Sequence, residues 1–379
     1  MLEIKDKSKN GNKKSNKKGK SKVTVNVLRI LSVIGLTLIL TVILLYFVLL
    51  SVFKGPSSTA KELLTRTLKE TSAVYMIPDW FLSKAEIEQI MAPGEQQIFK
   101  QDMSMISIPT SDPFGYATEA PVSGPTLPPD ATPKPSQENV KTGENHFVEP
   151  GIEIYDVISS TYRGKMMIVH DPRRLKVGVL DEYRSDRQGW FLPDFADKYG
   201  AVAVINGGGF EDVNGNGDGG LPVGLVIDGG KIKYGDPNEV VSICGFDARG
   251  ILHVGDMTGA QAIKAGVISA CSYGPALIVN GTPVRLANSG GLNPRTAVGQ
   301  RADGAILLLT LAGRQIDCIG ASYDDLIEIM YSYGAVNATN LDGGSSTMMY
   351  YKGERQIKSS SLIGERRLPT SVVVLGAEG

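Results

Sequence analysis

From Ile30 to Phe53 the chain carries no charged residue, and the run ILSVIGLTLILTVILLYFVLLSVF dictates how the rest can be arranged. At about 1.5 Å of rise per residue, a helix over this stretch covers a hydrocarbon core of roughly 30 Å. The sequence therefore predicts a transmembrane helix. A cleaved signal peptide is the other reading, but its apolar core spans about 7 to 15 residues and ends in small residues. This run is longer, and Phe53-Lys54-Gly55-Pro56 offers no such site. Before it, Lys5, Lys7, Lys9, Lys13, Lys14, Lys17, Lys18, Lys20 and Lys22 form a basic head. Lysine favours the cytoplasmic side, so residues 1–29 are expected in the cytoplasm and the chain beyond Lys54 outside the cell, a single-pass arrangement. The net charge of -1 sums this head and a mildly acidic remainder. It gives no reason to expect nucleic acid as a partner, since a lysine run without interleaved aromatics before an apolar segment reads as membrane topology.

The remaining chain divides by composition. Residues 54–107 read as a juxtamembrane helical stalk. SSTAKELLTRTLKET has Ser57 or Ser58 as a cap and Leu63, Leu64 and Leu68 on one stripe, and a second helix is expected from Ser83 to Met91. This stretch is expected to be too short to bury a core of its own. Residues 108–149, rich in Pro, Ser, Thr and Gly, have linker composition. From 150 to 379 the pattern changes to short apolar runs (MMIVHD, KVGVLD, AVAVING, GLVIDGGKIKYG, ALIVNGTPV, AILLLTLAG, SVVVLG) separated by Gly, Asn and Asp. Helices are expected at Pro193–Tyr199 and Ser322–Tyr333. Mixed strands with few helices and many tight turns predict one α+β domain with a β-rich core.

Three polar, glycine-rich segments each adjoin an apolar run, where a sheet presents ligand-holding loops. In the first, Asn206 ends a strand, and Gly207, Gly208 and Gly209 can either bring backbone N–H groups to a ligand or simply form a tight turn. It has neither a phosphate-loop lysine nor a following helix pattern. Asp212, Asn214, Asn216 and Asp218 then alternate like the first half of a calcium loop, although Val223 stands where the closing Glu would be. The alternatives are possible calcium or a solvated hairpin. No other cofactor is required by anything in the sequence. In the second segment, GLNPRTAVGQ, Arg295 suits a phosphate or carboxylate, and Thr296 enters a strand. The third runs from Asn340 through Asp342, Gly343 and Gly344 to Ser345, Ser346 and Thr347. A carboxylate at a glycine turn beside three hydroxyls can serve acid–base chemistry and stabilise oxyanions; Asp-Gly-Gly is also an ordinary hairpin turn.

Taken in order, Asn206-Gly207-Gly208-Gly209-Phe210, Pro294 to Gly299 and Asn340 to Thr347 resemble the motifs of the phosphodiester glycosidase family. GPALIVNG from Gly274 and the Glu365-Arg366 pair before the last strand resemble its weaker features, and the resemblance spans Tyr155 to Leu375. The third motif departs in having two glycines where many members have three, and the first has Gly209 where an aromatic is common.

The resemblance implies hydrolysis of a sugar joined through its anomeric oxygen to a phosphodiester, on a cell-surface glycopolymer or exopolysaccharide. It implies Arg295 and Arg366 as holders of the phosphate charge, the Gly207–Gly209 turn as N–H donor and Asp342 as acid–base group. Because many glycosidases use two carboxylates, Glu365 and Glu211 are candidates for the second. A non-catalytic glycopolymer-binding module and a cell-surface glycosyl or phosphoglycosyl transferase are the competing readings. Cys244, Cys271 and Cys318 allow one bridge or three buried thiols. His170 is expected to cap a turn or sit in the core.

Overall fold

The structure, a computed structural model, describes residues 13–71, 74–92, 99–108, 141–142, 146–212, 217–286, 289–361 and 364–376. Helix α1 runs Lys13–Phe53. Its stretch Asn26–Phe53, with a mean hydropathy of 2.9, is the one helix among the described residues long and apolar enough to cross a membrane. The hydroxyls of Ser32, Thr37 and Thr41 donate to carbonyls one turn back at 2.8, 2.9 and 2.8 Å. The helix thus satisfies these polar side chains within itself.

Two short helices follow. Ser57 caps α2 (Ser58–Lys69) by accepting from the Ala60 amide, and Ser83 with Glu86 forms a capping box at α3 (Lys84–Met91). The stretch buries Phe81, Leu82, Ile87 and Ile90 around Phe53, with Leu49, Leu50, Leu64 and Leu68 packed against them, so its cluster is not a core of its own. The last turns of α1 form one wall. Further along, residues 99–107 strap onto the main domain. Gln101 bridges the Val254 amide and the Leu252 carbonyl at 2.8 and 3.3 Å, and Ser107 donates to the Ala302 carbonyl at 2.8 Å.

The α+β domain contains three sheets whose strand pairs are antiparallel. Its first strands, Lys141–Thr142 and His146–Glu149, lie before residue 150. The largest sheet carries, side by side, Ile152–Ile158, Arg163–Val169, Ile306–Ala312, Arg295–Arg301, Ala335–Leu341 and Ala276–Val279. A second is ordered Leu252–Thr258, Val240–Asp247, Val267–Ser272, Val226–Asp228, Lys231–Tyr234. The third is ordered Glu354–Arg355, Met349–Tyr351, Ala201–Asn206, Thr370–Leu375, Leu175–Val179.

Period-two alternation explains how the sheets stack. In Ile306–Ala312, Ile306 and Leu308 face a core shared with Ile205, Phe246 and Val372 from the other sheets. Leu307, Leu309 and Leu311 face the opposite side, against Leu326, Ile329 and Met330 of α6 (Tyr323–Ser332). The third sheet likewise turns Val204 and Val373 outward to Leu192 and Phe195 of α4 (Leu192–Tyr199), and the second covers Leu225, Ile227 and Ile243 with Ala262 of α5 (Gly259–Lys264). Three sheets therefore share one interior, and each has a helix outside it. With both faces covered, strands such as Ile306–Ala312 read as nearly unbroken apolar runs. Cys244 and Cys271 face each other across neighbouring strands of that interior as free thiols, and Cys318 is also free and buried.

Candidate active site

Asn206, fully buried at the end of Ala201–Asn206, ties the three motif segments together. Its Nδ2 donates to the Asp342 carbonyl at 2.6 Å, and its Oδ1 accepts from Thr296 Oγ1 at 2.7 Å and from the Met348 amide at 3.2 Å. Thr347 Oγ1 lies 3.4 Å from Thr296 Oγ1, and the Asp342 amide donates to the Gly207 carbonyl at 3.2 Å. The junction joins the largest sheet to the third sheet at the strand ends where their loops emerge. Asn340, also buried, donates from Nδ2 to the Gly274 carbonyl at 2.7 Å, which fixes the GPALIVNG turn beside it.

Asp342 is held in this frame with its carboxyl only partly open to solvent. The Gly343 amide donates to Oδ1 at 2.9 Å, and Ser346 adds a side-chain hydrogen bond. Packing withdraws solvent from the carboxyl and pushes its pKa up to about 6, against the opposing pull of these donors and of Arg366. Tyr273 stands nearby, its phenol pushed well above the usual range by burial and by the Asp342 charge.

Arg366 is almost fully buried. Its Nη1 donates to Asp212 Oδ2 and Ser345 Oγ at 3.1 and 3.2 Å, and its Nη2 to Asp212 Oδ1 and the Gly217 carbonyl, both at 2.9 Å. The guanidinium also lies 5.0 Å from the centre of the Phe210 ring. It therefore clamps the first and third loops together beside Asp342.

Two groups expected at the ligand are engaged within the fold. The amides of Gly207, Gly208 and Gly209 all have partners inside the fold: the Thr370 carbonyl at 3.1 Å, Thr370 Oγ1 at 2.9 Å and the Ser272 carbonyl at 3.2 Å. The glycines are needed because a Cβ would fall 2.6 Å from Thr370 Oγ1, 2.5 Å from the Ser272 carbonyl oxygen and 2.8 Å from the Tyr273 ring, respectively. Arg295 donates from Nε to the Ala321 carbonyl at 3.1 Å and from Nη2 to the Gly291 carbonyl at 2.6 Å, and it stacks 4.3 Å over Tyr323. It shapes the 290–293 loop from behind, which engages two of its three nitrogens with backbone.

Two residues absent from the sequence expectations meet at Asn293, beside the third motif. Arg314, at a positive φ of 56° just past Ile306–Ala312, donates from Nε and Nη2 to Asn293 Oδ1 at 3.2 and 2.8 Å. A Cβ on Gly344 would meet its Nη1 at 3.1 Å, so the third motif's glycine makes room for this guanidinium. Burial holds the Arg314 pKa below its ordinary value, while the Glu70 and Asp342 charges oppose that shift. Glu70, the residue closing α2, offers its carbonyl to Arg314 Nη2 at 2.6 Å, accepts from Asn293 Nδ2, and lies 3.7 Å from Arg295 Nη2. Thr67 Oγ1 accepts from the Leu292 amide at 2.9 Å, seating α2 on the same loop.

The remaining expected residues separate. Glu365 is engaged by the Tyr350 hydroxyl and by Arg355 Nη1 at 3.1 Å. Glu211 is exposed, with its amide on the Leu221 carbonyl. Asp218 Oδ1 accepts from the Gly220 amide at 3.0 Å, and Asn214 and Asn216 lie outside the described residues. His170 bonds Glu153 at 2.6 Å on the far sheet edge. The histidine's expected core or turn role and the motif junction are thus spatially distinct.

Residues 199–375 match the family model described as phosphodiester glycosidase, which bears out the motif resemblance over that stretch. A Bacillus subtilis SPbeta prophage-derived uncharacterized protein, YomE, is 31% identical over 97 residues, covering 24% of this chain and 15% of that protein. The match thus spans only a small part of that relative's length. Among solved structures, the catalytic domain of zebrafish N-acetylglucosamine-1-phosphodiester alpha-N-acetylglucosaminidase is 19% identical, with 62% of this chain and 87% of that chain covered and a TM-score of 0.49. A hypothetical protein from Synechocystis is 18% identical, with 64% of each chain covered and a TM-score of 0.43.

Proposed function

We propose that the chain is a membrane-anchored hydrolase that cleaves the glycosidic bond of sugar-1-phosphodiesters outside the cell, with α1 as anchor and cell-surface glycopolymer or exopolysaccharide as the substrate class. The observation that carries the reading is Asp342: a carboxyl with a pKa of about 6, its turn fixed by Asn206 at the junction of all three motif loops, within the charge fields of Arg366 and Arg314.

The chemistry follows from those charges. Water attacks the anomeric carbon, the bond from that carbon to the phosphate-bearing oxygen breaks, and the electron pair leaves with the phosphate as a phosphomonoester. Asp342 in its carboxylate form accepts the water proton and stabilises positive charge developing on the sugar ring. A phosphate is a good leaving group, so a second carboxylate acting as strong general acid is not demanded. Arg314, carried on Asn293, and Arg366, carried on Asp212, supply the positive field for the diester and its departing dianion. Ser345 and Ser346 stand beside Asp342 for the sugar hydroxyls.

The test is incubation of the full chain in detergent micelles with a panel of sugar-1-phosphodiesters. Free sugar and phosphomonoester are expected with water as the only acceptor, and Asp342→Asn is expected to abolish them without loss of fold. Glycopolymer binding without turnover would instead favour a binding module, and turnover only with a sugar acceptor would favour a transferase.

A further inference from the structure

The turn between α2 and α3 presents Tyr75, Met76 and Trp80 to the outside, with exposures of 44%, 47% and 68%. Its height along α1 is fixed by the next residue. The Phe81 ring stacks on Phe53 at 5.0 Å and 17°, and lies 5.5 Å from the Tyr46 ring. Tyr46 and Phe53 are two helical turns apart, or about 10 Å. Ile77, inside the turn, packs in the same cluster as Leu49 and Leu50 of α1. Residues 75–80 therefore lie level with the last two turns of α1, on the side of its apolar stretch.

That level is the edge of a bilayer. A helix over Ile30–Phe53 is about 36 Å long against a hydrocarbon core of roughly 30 Å, so its outer end projects into the headgroup layer. Tryptophan and tyrosine prefer this layer, where an apolar ring and a polar edge are both satisfied. Lys69 adds a cation at the rim, 2.7 Å from Asp79 and 5.9 Å over the Tyr75 ring. The turn is also preformed. Its amides at Ile77, Asp79 and Trp80 bond the carbonyls of Val74, Met76 and Ile77 at 3.0, 3.2 and 3.1 Å, so little conformational entropy opposes its use.

We propose that Tyr75, Met76 and Trp80 form a second membrane contact, an aromatic pad that inserts into the interfacial layer of the outer leaflet beside α1. The proposal rests on α1 crossing the bilayer and is independent of the reaction. The pad holds α2 at a fixed height, and with it the loop at 290–293 on which Glu70 and Thr67 sit.

The chain has two tryptophans, and Trp190 is packed against Phe195 inside the domain, so Trp80 can be observed separately. The experiment uses the full chain carrying Trp190→Phe, reconstituted into phosphatidylcholine–phosphatidylglycerol vesicles. If that variant folds poorly, the difference spectrum between the unaltered chain and Trp80→Phe reports the same side chain. Blue-shifted Trp80 emission, shielded from iodide and at least halved by lipid brominated near the top of the acyl chain, is expected. Vesicle flotation reports membrane association of the whole chain. A chain that floats while Trp80 emits as in water, open to iodide and indifferent to bromine, overturns the pad and leaves the anchor standing. A chain that does not float overturns both.

Discussion

Asn206 Nδ2 donates to the backbone carbonyl of Asp342 at 2.6 Å, across a gap of 136 residues in sequence. A side-chain amide holds an NH2 donor and a carbonyl acceptor in a single plane, and here the oxygen accepts from Thr296 and Met348 while the NH2 fixes the turn bearing the reactive carboxyl. Asn206→Ala leaves those buried groups without partners, which costs about 2 to 4 kcal/mol. It also frees Asp342 to shift, and a displacement near 1 Å reduces rate by about a hundredfold. Urea unfolding and kcat/KM, measured on the same variant, check both effects. A stable but inactive variant would show that positioning, rather than folding, is the residue's main contribution.

The Asp342 carboxyl gives two opposite pH signatures. Its folded pKa of about 6 lies above the ordinary value of about 3.9, so the folded protein holds this proton more tightly than the unfolded chain does. Stability is therefore full below about pH 4 and declines as the pH rises toward about 6, by roughly 2 to 3 kcal/mol from this group. Activity should run the other way, with kcat/KM rising to a plateau above about pH 6 as the working carboxylate forms. Asp342→Asn, expected to be without turnover, should flatten the stability profile and raise the denaturation midpoint at neutral pH. Unchanged pH dependence of stability in that variant would remove Asp342 as the source.

Much of this arrangement was legible in the chain. Strands such as Ile306–Ala312 read directly as apolar runs, because sheets covered on both faces need apolar residues at every position. The three motif segments announced themselves because turns at the sheet ends require glycine and short polar residues. What the motifs concealed was the direction of their polar groups. Glycines at 207 to 209 look alike whether their amides face a ligand or Thr370, and only the packing of neighbouring strands decides. Arg295 likewise looks like a phosphate ligand until Ala321 and Gly291 are seen to accept from it. Glu70 and Arg314 were hidden for another reason. Glu70 meets Asn293 across 223 residues and Arg314 across 244, and no local pattern marks an acidic helix end as part of a distant site.

Glu70 leads to a third prediction. Its carboxylate engages Asn293, and its carbonyl engages Arg314, at the place where the proposed mechanism seats an anionic diester. The Glu70 charge acts on Arg314, so it weakens the pull of that guanidinium on a second anion. Glu70→Gln removes the charge and keeps the shape, so KM for a sugar phosphodiester should fall about three- to tenfold, or about 1 kcal/mol, with kcat little changed. Steady-state kinetics decide the point, because a large loss of kcat at constant KM would make Glu70 a participant in the reaction instead.

The last prediction concerns metal at Asp212. Calcium takes carboxylate oxygens at about 2.3 to 2.6 Å and gathers six to eight of them. Both oxygens of Asp212 already accept from Arg366, at 3.1 and 2.9 Å, and Oδ1 also accepts from the Gly217 amide at 2.6 Å. A cation entering there would stand beside a buried guanidinium and compete with it for the same carboxylate. Thermal unfolding should therefore show no calcium-dependent rise in Tm, and chelation should leave kcat/KM unchanged. A specific site filled to a hundred times its Kd would instead stabilise the fold by about 2.7 kcal/mol. If calcium raises Tm in the unaltered chain and Asp212→Asn removes the effect, Arg366 must exchange partners on binding. The field beside Asp342 would then depend on metal, and the pH limb of activity should move with calcium concentration.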